Sequence, residues 1–398
     1  MSPPMHLVTP IRLRGLELRN RVIKSATFEG MTPEGAPSRA LVDHHRNLAA
    51  GGVGLTTVAY GAVEPDGRSF SEQMVLSPAV SGGLRALTAA VHAEGGAASI
   101  QLTHCGFFTK LGRADGGRPR APSRVFNAYG ALSGLPFSQA MTEVEIAALV
   151  EAFARAADLA VGAGFDAVEL HMGHGYLLSQ FLTPGINRRR DRWGGPLENR
   201  LRMPLAVVAA VREAIGEDVP IIAKINLSDG LRGGLEIGEA TLVAAALERR
   251  GVDLLVLSGG YTSKTPFFLL RGGRPLRDMI AVEKSGGQKL ALRLFGPLYV
   301  RRYDFQEMFL RDLALEVRRA VAMPLALLGG LVGRENLAVA AADGFECVAM
   351  ARALIADPDL VVRMTRGELE RTRCDACNRC VALMDAGGVR CVLDEPRG

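Results

Sequence analysis

Two imidazoles and a phenol, His171, His174 and Tyr176, fall within one short stretch of this chain. They follow an apolar run, Phe165 to Leu170, that stops abruptly at polar residues. The three side chains are therefore expected where a parallel strand leaves its sheet, the place where ligands usually bind. Imidazole N–H groups grouped there suit polarising a carbonyl, and a phenol beside them can hand over a proton. Three-residue histidine spacing also occurs in metal sites. Here the nearby sequence offers no third ligand at useful spacing, and Tyr176 would have no part in such a site.

A second concentration of chemistry lies near the end of the chain, where Cys374-x-x-Cys377-x-x-Cys380 is followed by Cys391. Six cysteines in 398 residues are too few for a disulfide scaffold, and four of them crowd into this segment. In a reducing compartment the pattern points to a metal, either a [4Fe-4S] cluster or zinc, because tetrahedral sulfur sites accommodate both. Unligated thiols are the third reading. Gly329-Gly330 and Ala351-Arg352 each follow an apolar run. Glycines let backbone amides approach phosphate oxygens closely, and an arginine adds charge with fixed geometry. Gln101 and Lys224 also stand near strand ends. Taken alone, a buried glutamine is ordinarily just paired and a lysine ordinarily faces solvent.

Groups so far apart in sequence need elements that bring strand ends together. Short apolar runs alternate with amphipathic helical patterns, and eight candidate strands cover 21–26, 53–59, 97–102, 166–170, 220–225, 254–258, 324–328 and 347–350. Eight strand–helix units predict an α/β fold, the TIM (β/α)8 barrel. A doubly wound open sheet is the rival, but no Gly-x-Gly-x-x-Gly turn joins an early strand to a helix. Thr142 and Glu145 form a capping box, after which Ile146, Leu149, Val150, Phe153, Ala157 and Ala160 recur on one face, as in an ordinary barrel helix. Segments 103–141 and 259–304 are too long for simple loops, and both follow strand C-termini, where barrel enzymes build their sites. The expected organisation is one barrel over residues 1–370 with a short Cys-rich tail, 371–398, packed outside it.

Composition excludes several classes. With 48% apolar and 22% charged residues the chain can bury a large core. The net charge of +5 comes from scattered arginines without the aromatic interleaving that tracks nucleic acid. No apolar run reaches spanning length, and Met1 to His6 lack the order of a secretory signal. These features predict a cytoplasmic protein with no nucleic-acid and no membrane partner, and they leave self-association open.

The string from Glu169 through Tyr176 to Arg200 resembles the signature of the Old Yellow Enzyme family of FMN-dependent ene-reductases, in the branch related to 2,4-dienoyl-CoA reductase. Further stretches match in the same order: Asn20 to Gly30, Thr57 to Val63 and Ser99 to His104, so the resemblance runs from Pro10 to about Pro396. It implies an FMN cofactor. Ala26 and Thr27 would lie along the flavin, Tyr60 would offer it backbone, and Gln101 would bond its pyrimidine. Lys224, at a position usually held by arginine, would place a cation near N1 and O2, while Gly329, Gly330, Ala351 and Arg352 would hold the phosphate.

The resemblance further implies that NAD(P)H delivers hydride to the flavin and that an activated alkene, conjugated to a carbonyl, then takes it up. His171 and His174 would bind the carbonyl oxygen and Tyr176 would donate the proton. Cys105 is either a pocket residue or a bystander. Phe28 departs from the family, which often has threonine or cysteine there to bond flavin O4. Losing such a bond, about 1 kcal/mol, would shift a two-electron potential by only roughly 20 mV. The tail resembles the iron–sulfur segment of the same branch with one residue fewer between its second and third cysteines. Two other readings stay open: a dehydrogenase or demethylase of the same family, and a flavin-less, zinc-tailed binding protein.

Overall fold

The expected strands close into a ring. The computed structural model describes residues 6–384 and 386–393, so the extreme N-terminus and the end of the tail considered above, 1–5 and 394–398, lie outside the described residues. The barrel strands are β1 (Val22–Lys24), β2 (Leu55–Ala62), β3 (Ala97–Thr103), β4 (Ala167–Met172), β5 (Ile221–Asn226), β6 (Leu254–Ser258), β7 (Leu325–Leu328) and β8 (Cys347–Met350). All are parallel, each pairs with the next, and β8 returns to β1. The outer ring is α1 (Arg39–Ala50), α2 (Ser81–Ala93), α3 (Glu143–Gly162), α4 (Leu197–Ile215), α5 (Ile237–Arg249), α6 (Arg311–Ala320), α7 (Arg334–Ala342) and α8 (Leu360–Thr365). This is the TIM barrel. Strands β3, β4, β5 and β6 bury every residue, since one face fills the barrel and the other packs under helices.

Helix α3 begins as its sequence dictates. The Glu145 amide donates to Thr142 Oγ1 at 3.2 Å and the Thr142 amide donates to Glu145 Oε2 at 2.8 Å, which satisfies two otherwise orphaned donors. A short antiparallel hairpin, Ile11–Leu13 with Leu16–Leu18, precedes the barrel and was not among the expected strands. Its alternation is too brief to register as a pattern. It docks on the turn before β5, where the Gly15 amide donates to Asp218 O at 3.1 Å. The first long excursion folds through a two-residue pairing of Arg120–Ala121 with Gln139–Ala140, and the second contains helices Leu276–Val282 and Gly286–Tyr299.

The tail does more than pack outside the barrel. Cys374, Ala376, Cys380, Val381, Met384 and Val389 form part of the wall of the cavity at the barrel mouth. Gly30 has φ +67° and lies so close to Met384 O that a Cβ there would meet it at 1.8 Å, while the Val389 amide donates to Glu29 O at 2.7 Å. A glycine is therefore required where the first barrel loop meets the tail.

The barrel interior also carries charge. Lys24 and Glu29 form a fully buried ion pair, and the Glu29 carboxylate also receives the Ala59 amide at 3.3 Å. Burial by itself would raise the Glu29 carboxyl, but Lys24 and the His45 imidazole outweigh it and hold it down at about 2. Because the folded value lies below the unfolded one, this carboxylate stabilises the fold above about pH 4.5, and the contribution is lost as pH falls towards 2. Glu29→Gln is expected to cost roughly 3–5 kcal/mol in urea denaturation at neutral pH by stranding Lys24. The gap to the unmodified protein should narrow as pH is lowered through that window, and a gap constant with pH would contradict the assignment.

Candidate functional site

The C-terminal ends of β1, β2, β3, β4, β6, β7 and β8 surround a cavity of about 310 Å³. That is the scale of small-molecule sites. Its wall includes Ala26, Thr27, Tyr60, Gln101, His171, His174, Tyr176, Gly329, Gly330, Ala351 and Arg352. Of the flavin and substrate positions expected from the sequence, only Lys224 stands back from the wall.

The imidazoles and the phenol converge because β4 ends in a tightly held turn. His174 has φ +58°, and its amide donates to Asn226 Oδ1 at 3.0 Å, while Asn226 is itself held by Asp229 and the Gly260 carbonyl. Gly175 follows at φ +77°, where a Cβ would run into the Tyr261 ring at 2.2 Å. The turn delivers Tyr176 back over His171, with ring centroids 4.5 Å apart, and sets the His171 and His174 rings 5.0 Å apart at 82°. Gln180 locks this turn to the end of β3 by donating to Cys105 O at 2.9 Å and to Gly175 O at 2.7 Å.

Burial fixes the protonation of these groups. It pushes His171 far below the ordinary imidazole range and His174 down to about 3, with the Lys224 ammonium adding to both. Both rings are therefore neutral at pH 7, and each can donate one N–H. His174 Nε2 lies 2.7 Å from Ser258 Oγ, whereas His171 Nδ1 is buried without a hydrogen-bond partner. An unpaired buried donor or acceptor is costly, so His171 is suited to a ligand atom. Burial raises Tyr176 to about 12, so its hydroxyl keeps its proton through the neutral range.

Gln101 sits opposite Glu169 across the β3–β4 pairing and donates from Nε2 to Glu169 Oε1 at 2.6 Å. The same oxygen receives Lys224 Nζ at 3.0 Å, and Lys224 reaches Ser25 Oγ at 3.1 Å. Lys224 is thus one layer beneath the cavity, paired, and its charge acts on the site through Gln101, Glu169 and Ser25. Burial lowers its affinity for a proton, and Glu169 opposes that shift. The sequence reading passed over Glu169, although a carboxylate within the apolar run of β4 was the available signal.

Tyr60, expected to offer its backbone, also brings a ring to the site. Its side chain stands on the cavity wall 5.4 Å from the Tyr176 ring and 5.7 Å from Phe28, and Phe28 in turn meets Phe70 at 4.7 Å. Phe28 offers this wall no hydrogen bond. Cys105 does not line the cavity; it is buried behind Tyr176 with its thiol 3.2 Å from Arg68 O, and burial holds it protonated.

At the opposite end, Gly329 and Gly330 adopt φ +107° and +73°, and a Cβ on Gly330 would meet Gln306 O at 2.5 Å. Arg352 donates to Arg271 O at 2.8 Å and to Asn378 Oδ1 at 2.5 Å, two neutral oxygens. A largely buried guanidinium held this way favours an anion. The glycine turn and Arg352 at one end and Gln101 at the other fit a ligand with a phosphate at one end and a polar ring at the other, as FMN has, and leave the unpaired His171 nitrogen for a second molecule.

All four tail cysteines, with Arg352 and Asn378, line a second cavity of about 20 Å³. As placed, no three His, Cys, Asp or Glu side chains among the described residues are grouped so that they could hold a metal ion. Burial raises Cys374 and lifts Cys380 to about 11, which keeps both as thiols at neutral pH.

A family model described as the NADH:flavin oxidoreductase / NADH oxidase family matches residues 6–262. The chain is 40% identical over 396 residues to the 4,4'-dithiodibutanoate disulfide reductase of Rhodococcus erythropolis, covering 98% of this chain and 96% of that one. It is 31% identical to an NADH oxidase of Thermoanaerobacter brockii, covering 92% of this chain but 52% of that relative, so it spans about half that protein's length. Among solved structures, a 2-naphthoyl-CoA reductase in complex with 2-naphthoyl-CoA superposes with a TM-score of 0.81 at 23% identity, over 98% of this chain and 56% of that one. That likeness is one of fold.

Arg352→Gln is expected to weaken FMN binding by about 10- to 100-fold, the worth of a charge-assisted hydrogen bond, while riboflavin binding barely changes. Fluorescence titration of the apoprotein with each flavin measures this. Equal losses for both would place the phosphate elsewhere.

Proposed function

Because the chain belongs to the NADH:flavin oxidoreductase / NADH oxidase family, that of the Old Yellow Enzyme barrels, we propose that its cavity binds FMN and serves the reduction of an activated C=C bond by NAD(P)H. The observation that carries this reading is the convergence of two neutral imidazoles and a protonated phenol on one cavity wall. Bound FMN would supply hydride chemistry, taking hydride from NAD(P)H and giving it to the β-carbon of an alkene conjugated to a carbonyl.

The protein's own groups do the rest. His171 and His174 donate N–H bonds to the substrate carbonyl oxygen and stabilise the negative charge that develops there as hydride arrives. Neutral rings suit this role because each keeps one N–H to donate. Tyr176, held protonated, gives its proton to the α-carbon, so one hydride and one proton saturate the double bond. Gln101 orients the flavin pyrimidine, fixed in turn by Glu169 and Lys224. The aromatic wall of Phe28 and Tyr60, backed by Phe70, selects for flat, apolar substrates.

A disulfide substrate is the second reading, favoured by the relative of nearly equal length that is named for one. There the S–S bond takes one hydride and one proton and separates into two thiols. Offering the holoenzyme and NAD(P)H either a disulfide or a conjugated enone separates the two readings.

Tyr176→Phe should slow reoxidation by an enone by about 10² to 10⁴ while leaving reduction by NAD(P)H nearly unchanged, because only the former needs a proton donor. Stopped-flow absorbance resolves the two halves, and equal effects on both would remove Tyr176 from this role.

The cysteine quartet is proposed as a [4Fe-4S] site on its spacing and on the single small cavity that all four residues line, and no step of the reaction runs through it. Anaerobic purification should yield iron and acid-labile sulfide in step with FMN. Zinc alone would make the tail a structural zinc site, and full FMN with no metal would end the proposal.

A further inference from the structure

Helix Gly286–Tyr299 turns an apolar face outward. Leu290, Leu294, Phe295 and Leu298 are 56%, 61%, 63% and 76% exposed, and their i, i+4, i+5, i+8 spacing places them along one side. The opposite side is anchored. Gly296 is buried there against Leu276, the C-cap Val300 is buried, and on the flank Lys110 Nζ donates to Gln288 Oε1 at 2.9 Å. The exposed face is therefore a feature of a docked helix.

Charge on the helix itself has one sign. Arg293 borders the exposed face, Lys284, Arg301 and Arg302 flank the two ends of the helix, and no acidic residue occurs between Lys284 and Arg302. Arg302 meets the exposed Asp304 at 2.8 Å, and the Glu283 carboxylate is engaged by the Ser285 amide at 2.9 Å. Arg274 and Arg277 add two further exposed cations on the preceding turn and helix.

We propose that this helix is an interfacial anchor that docks on an anionic lipid surface. Apolar side chains on one face with a cationic rim match the headgroup–acyl boundary, where Lys and Arg reach phosphates while Leu and Phe enter the hydrocarbon. A second copy of the chain is a poor occupant. Two-fold pairing sets a patch against itself and would bring Arg293 and the cations at the helix ends towards their own copies. The sequence expectation of no membrane partner rested on the lack of a spanning segment. No helix among the described residues is long and apolar enough to cross a membrane, and an in-plane helix needs no such length.

Met279 before the helix and Phe305 after it both line the main cavity, so the anchor sits beside the entrance. Docking would set that entrance against the bilayer and admit apolar molecules dissolved in it. The anchor does not depend on which reaction the cavity performs.

Flotation of the flavin-loaded protein with vesicles of phosphatidylcholine alone, or mixed equally with phosphatidylglycerol, tests this. Binding is expected to the mixed vesicles only and to weaken as salt is raised. Leu294→Glu with Phe295→Glu should abolish it. Lys284→Gln and Arg293→Gln, both at exposed positions, should each weaken it roughly fivefold. Flavin absorbance of every variant reports that the barrel is intact. Failure to float with the mixed vesicles, or flotation indifferent to these substitutions, overturns the proposal. So does a dimer by light scattering that Leu294→Glu with Phe295→Glu dissolves, since the face would then belong to a second copy.

Discussion

Two lysines and two glutamates inside the barrel must stay paired, and the site above them depends on it. An isolated ammonium or carboxylate there would cost several kcal/mol, so each charge needs its partner at contact distance. Lys24 meets Glu29 and Lys224 meets Glu169, on strands or loops that all end at the same mouth. Glu169 then takes the Gln101 amide, and Glu29 takes the Ala59 amide, so the pairs also fix the polar groups nearest the cavity. The arrangement supplies positive charge near the mouth without leaving a bare cation in its wall. It also lowers the proton affinity of both histidines, which keeps them neutral donors.

The barrel was legible in the sequence because its period is local. Each strand is an apolar run that a helix pattern follows, and all eight expected runs overlap observed strands. The capping box at Thr142 was legible for the same reason, since it needs only four consecutive residues. His171, His174 and Tyr176 could be located because a short turn contains them. The pairing of Lys224 with Glu169 could not, because their partnership is set by the β4–β5 register and spans 55 positions of sequence. Nor could the tail's return to the mouth, which shows only as close backbone contact between Gly30 and Met384.

The aromatic residues show how a departure from a family pattern can be absorbed. Phe28 offers no hydrogen bond, yet it packs edge-on against Phe70 and tilted against Tyr60, whose ring meets Tyr176 edge-on. Aromatic pairs of this kind gain about 0.5–1.5 kcal/mol beyond burial. At this position ring packing stands in place of a hydrogen bond.

Contact between Gly30 and the Met384 carbonyl leaves no room for even a methyl group. Barrel and tail are therefore keyed to one another and are not interchangeable parts. A tail transplanted onto a barrel with any side chain at that loop position would be held away from the mouth, and this barrel without its tail would lose one wall of its cavity. Recombination between relatives can exchange the two segments only when the glycine travels with the cysteines, although more than 300 residues of chain separate them.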